Sequence, residues 1–148
     1  MSKQTVKTGS VAQPIGPYSL GLRSGNLVFV SGTVGWRPDG SAAADIKEQC
    51  HQMYKNVQQV LHAAGSSLDH VVTTTTYLVN ASDYRALNEA RAQYFAADAP
   101  ASAVVVVKEL VRPDLLVEVE AVAEIPAKGA RLTSGGRRSV RQVKPKRR

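Results

Sequence analysis

Residues 99–125 constrain this chain more than any other stretch. APASAVVVVKEL and LLVEVEAVAEI, separated by VRPD, read as two β-strands joined by a turn. In the second strand Leu115, Val117, Val119, Ala121, Ala123 and Ile125 alternate with Leu116, Glu118, Glu120, Val122 and Glu124. Such a period of two gives one apolar face and one carboxylate-bearing face. The first strand is apolar on both faces from Val104 to Val107, so it asks to be covered from both sides. With the two strands close together, Glu118 or Glu120 would stand beside a dry wall of valines and become a candidate acid or base. The alternative is that both glutamates are simply solvated.

The charge is unevenly placed. Nine of the 19 Lys and Arg follow Pro126, where no acid occurs, so the remaining ten bases meet all 12 acids in residues 1–126. The body is thus about −2 and the tail +9, and the formal +7 belongs to the tail. We expect residues 1–126 to form one domain and 127–148 to be a disordered basic tail able to attract nucleic acid nonspecifically. Cys50 is the only cysteine, which excludes an internal disulfide and suits a reducing compartment. No apolar run approaches a membrane span and the first residues lack a signal-like apolar core, so a cytoplasmic, membrane-free protein is expected.

Taken in order, residues 1–17 suggest an edge strand and a loop constrained by Gly9, Pro14, Gly16 and Pro17. Tyr18 follows that loop as either a packing aromatic or a site residue. Residues 19–22 and 27–31 flank a Gly-containing connection of hairpin length. Gly32 marks a bulge or lets a ligand approach the backbone. GWRPDGS at 35–41 has P-loop glycine spacing but lacks its lysine, so it is read as a turn and not a nucleotide site.

Asp45 and Glu48 predict a capped helix start, and Ile46, Cys50, Met53, Val57, Leu61 and Ala64 form its apolar stripe up to Gly65. The three histidines show no ligand spacing, so no metal site is expected. VVTTTTYLV at 71–79 is a β-branched strand. Asn80 or Ser82 then caps a second helix with Tyr84, Leu87, Arg91 and Tyr94 on one side and Asn88 beside that stripe. About six strands and two helices result, an α+β domain in which two helices cover only one sheet face. The uncovered face calls for another copy of the chain.

IGPYS at 15–19, NLVFVSG at 26–32, AAGSSLDHVV at 63–72, TTYLVNASDYRALNEARAQYF at 75–95, AP at 99–100 and LVEVEAVAEI at 116–125 resemble the RidA (YjgF) family. The resemblance implies a chorismate-mutase-like α+β fold: a six-stranded mixed sheet with two helices on one face, assembled as a trimeric barrel with ligand clefts at the subunit junctions. It further implies hydrolysis of reactive enamines or imines to a carbonyl product and ammonia, without metal or organic cofactor. It maps the site aromatic onto Tyr18, the serine and backbone donor onto Ser31 and Gly32, a polar helix residue onto Asn88, and the water-activating carboxylate onto Glu120.

One departure stands out. Where the family has Pro-Ala-Arg, this chain has Pro100-Ala101-Ser102, followed by Ala103 and then Val104 in place of a frequent pocket cysteine. A hydroxyl cannot replace a bidentate guanidinium, so weakened recognition of carboxylate-bearing imines and a shifted substrate range are expected. The alternatives are a non-catalytic trimer binding a metabolite or partner, and RNA association in line with the nuclease activity ascribed to some relatives.

Overall fold

The computed structural model describes residues 2–95 and 97–128. Its elements are β1 (Gln4–Val6), β2 (Gly21–Ser24), β3 (Leu27–Val34), α1 (Ile46–Ala63), β4 (Val71–Leu78), α2 (Tyr84–Tyr94), β5 (Ala101–Val106) and β6 (Val117–Glu124). The six strands form one sheet in the order β1-β2-β3-β6-β4-β5, antiparallel throughout except for the parallel β4–β5 pair. Both helices share one face of it. Of the basic tail, residues 129–148 lie outside the described residues.

Alternation builds the core as expected. Val117, Val119, Ala121 and Ala123 of β6 are buried with Val28 and Val30 of β3 beneath Met53, Tyr54, Val57 and Leu61 of α1. Asp45 accepts from the Glu48 amide at 2.9 Å and starts α1, while Glu48 reaches back to the Ala44 amide at 3.3 Å. Cys50 is fully buried in this stripe, and burial pushes its thiol up to about 12, so it remains a protonated core residue. The hairpin turn uses Gly25 at φ 61°, and Gly40 at φ 82° closes the Pro38-Asp39-Gly40 turn.

Three expectations are corrected. The strands of residues 99–125 are not neighbours, because β4 is inserted between β5 and β6. A parallel partner for β4 is delivered by the α2 crossover, which leaves the second strand free to pair antiparallel with β3 and β4. The glutamates therefore do not face a valine wall. The valine strand is an edge within one chain, with Val104 partly buried but Val105 43% and Val106 55% exposed. Neither Asn80 nor Ser82 caps α2, since a single turn at Ala81–Asp83 leads into the helix and no side chain accepts from its first amides. Tyr84 is exposed and does not join the apolar side of that helix.

Candidate active site

The sequence-predicted residues fall into two groups. The first gathers around the β3–β6 register shift between Val30 and Thr33, which confirms a bulge at Ser31-Gly32. Tyr18 lies in the loop before β2, its amide bonded to the Gly16 carbonyl at 2.9 Å, and the residue is 48% exposed. It therefore lines a pocket with Ser31 and Gly32 and is no core aromatic. Ser31 donates its hydroxyl proton to the Ser19 carbonyl at 2.6 Å, which leaves the oxygen's lone pairs to accept from a ligand N–H. At Gly32 any Cβ would overlap a carboxylate oxygen of Glu118, so the missing side chain is what lets that acid lie against the strand.

Glu118 and Glu120 project from β6 onto the sheet face that the helices leave open. Glu120 accepts a hydrogen bond from the Tyr77 hydroxyl of β4 at 3.1 Å and lines a groove with Ser31, Thr73 and Thr75. That bond raises the Tyr77 pKa, which keeps the phenol a donor. Burial, and then the charge of Glu120, push the Glu118 pKa up as well. One glutamate is thus half-buried against the bulge and inclined to hold its proton, while its exposed neighbour faces the groove. Such a pair can pass a proton between a water and a departing amine.

The second group lies at the other edge. Ser102 of β5 is paired in register with Thr74 on the helix-bearing face and accepts from its hydroxyl at 3.3 Å. Asn88 of α2 borders the same groove, together with Phe95 and Pro100. Arg91, read from the sequence as part of the α2 stripe, instead reaches out of the helix. Its guanidinium donates to Ser102 Oγ at 2.8 Å and to Asn88 Oδ1. No sequence signal separated this arginine from its neighbours, because the contact depends on how α2 lies over the edge of β5. Val104 follows Ser102 on the helix side, and Ala103 shares the open face, two strands from Glu120 through Thr75.

Ser102 and Glu120 accordingly stand on opposite faces of one sheet. Ser31 is shared by the pocket of Tyr18 and Gly32 and by the groove of Glu120, which are otherwise lined by different residues, and neither includes Asn88 or Ser102. Among the described residues no group of three His, Cys, Asp or Glu side chains is placed to hold a metal ion. No helix of the described residues is long and apolar enough to cross a membrane.

Comparison with known proteins gives a consistent picture. The family model described as Endoribonuclease L-PSP matches residues 8–125. A RutC family protein of Pyrococcus horikoshii is 37% identical over 123 residues, 82% of this chain and 97% of that one. A protein of Dermatophagoides farinae named 2-iminobutanoate/2-iminopropanoate deaminase is 31% identical over 125 residues, 83% of this chain and 97% of its own length. The crystal structure of RidA from an Antarctic Psychrobacter superposes with a TM-score of 0.80 at 32% identity, covering 82% of this chain and 99% of that chain.

Proposed function

Because this chain belongs to the Endoribonuclease L-PSP family, also called RidA/YjgF, we propose that it hydrolyses reactive enamine or imine intermediates to a carbonyl compound and ammonia. The observation that carries this reading is the Glu120 carboxylate, held by Tyr77 on the uncovered sheet face beside Ser31 and the Gly32 bulge. An enamine first tautomerises to its imine. Glu120 takes a proton from water as the oxygen bonds to the electrophilic imine carbon, and the proton passes to nitrogen. The resulting carbinolamine then collapses: Glu120 carries its hydroxyl proton to the amine, the C–N bond breaks, the C–O bond becomes a carbonyl, and ammonia leaves. Ser31 Oγ, its own proton held by Ser19, is suited to orient the substrate N–H.

The two half-sites fit a cleft between copies of the chain, with Glu120, Tyr18, Ser31 and Gly32 from one subunit and Asn88 and Ser102 from the next. A homotrimer closed through the open sheet face would form three such clefts. The substrate range is shifted from that of relatives bearing arginine at position 102. Ammonia release from imines formed in situ tests the reaction. Glu120→Gln, which keeps the shape but cannot take a proton, is expected to lower the rate by about 10²-fold or more. An unchanged rate in that variant would overturn the assignment of Glu120.

A second reading rests on the charge partition. The +9 tail against a −2 body favours nonspecific, salt-sensitive association with nucleic acid, separate from the cleft.

A further inference from the structure

The loss of an arginine at position 102 leaves Ser102 without a charge of its own, yet a guanidinium stands 2.8 Å from its oxygen. Arg91 spends two of its five N–H donors, one on Ser102 Oγ and one on Asn88 Oδ1. The ion pairs among the described residues are Arg37–Glu48, Arg85–Glu89 and Arg112–Asp114, so Arg91 has no carboxylate partner there. Its fork is therefore fixed, unneutralised and at the rim of the groove with Phe95 and Pro100. A held guanidinium with donors to spare matches a planar two-oxygen anion.

The serine contributes to this arrangement. Its oxygen accepts from Thr74 on one side and Arg91 on the other, which leaves its own proton to be donated outward. An alanine at position 102 would leave the guanidinium held by Asn88 alone.

We propose that Arg91 is the substrate-carboxylate anchor of this protein, held for that task by Asn88 and Ser102, so that its substrates are anionic 2-imino acids. This rests on the deaminase reading of the same site, and it places the shift in substrate range in the position of the anion and not in its charge. The cation enters from helix α2 and is pinned at the strand.

Two measurements on the full chain test it. One compares kcat/KM for 2-iminobutanoate, generated in situ, with that for its neutral carboxamide. The other is the dissociation constant of 2-oxobutanoate, a stable carboxylate with the product's shape, followed by NMR titration. Arg91→Gln is expected to raise that constant and to lower the anionic-to-neutral ratio, each by about ten- to hundredfold. Ser102→Arg added to Arg91→Gln should recover part of both by returning a fork to the groove. Arg91→Lys, which keeps the charge without the fork, should fall between.

An unchanged dissociation constant in Arg91→Gln, or an equal fall for anionic and neutral imines, overturns the anchor while leaving the deaminase reading intact. Absence of ammonia release from every imine overturns the deaminase reading, and the 2-oxobutanoate titration then decides the anchor alone. If Arg91→Gln changes the oligomeric state, Arg91→Lys is the deciding variant, with wild-type affinity in it counting against the fork.

Discussion

Glu118 is a carboxylate whose surroundings work against its charge. Burial and the nearby Glu120 raise its pKa above the usual 4.5, so the folded chain holds that proton more tightly than the unfolded chain does. The associated stability is fully present below about pH 4.5 and is lost as pH rises through the folded pKa. Glu118→Gln should therefore gain on the wild type as pH increases, which urea midpoints measured from about pH 4 to 8 would show. A difference that stays constant with pH would mean that Glu118 titrates as it does in the unfolded chain. Gly32→Ala probes the same contact from the other strand. The carboxylate end can swing aside, so the expected loss of stability is only about 1 kcal/mol, at the low end for overpacking. Ammonia release should fall further, by roughly tenfold, because a Cβ at position 32 disturbs the bulge that carries Ser31 to the groove.

Helix α1 shows what patterning misses as clearly as what it captures. Its apolar stripe and its Asp45 cap follow from spacing, and Asp45→Ala should cost about 1 kcal/mol in chemical denaturation. Gln49 and Asn56 lie on the same helix outside that apolar stripe, yet they are 1% and 5% exposed. Asn56 donates to the Val34 and Trp36 carbonyls at 2.9 and 2.7 Å, and Gln49 accepts from the Leu116 amide at 2.8 Å. They tie the helix to irregular backbone at the end of β3 and the start of β6. No period in the sequence reveals such a bond, since the partner is a main-chain group brought near by tertiary folding. Asn56→Leu should cost about 2 kcal/mol or more by stranding two buried carbonyls. The strands were legible from alternation, but their order was not. Sequence neighbours 99–106 and 115–125 look like a hairpin, and only the α2 crossover explains why β4 separates them. The site divides in the same way: Tyr18, Ser31, Gly32, Asn88, Ser102 and Glu120 could be marked by resemblance, whereas Arg91 depends on helix placement.

For the whole molecule, the open sheet face sets the expectation. Phe29 is 45% exposed there and Val105 43%, an apolar surface that a second copy would cover. Light scattering should give about 48 kDa, three times the 15.9 kDa chain, and a monomer would remove the inter-subunit cleft. Deleting residues 128–148 should leave that assembly and ammonia release intact while abolishing retention on nucleic acid at low salt. An unchanged salt slope would assign the binding to the body. Strand β5 carries a consequence of another kind. It presents ASAVVV as an edge with no charge, proline or bulge inside it, and only Pro100 and Lys108 flank it. In the trimer proposed above, a subunit separated from its partners would offer a short, uncharged, β-branched template for amyloid-like stacking. Dilution or mild heating would then be dangerous before any subunit unfolds, and the lifetime of the protein in a cell would be set by how quickly separated subunits find each other again.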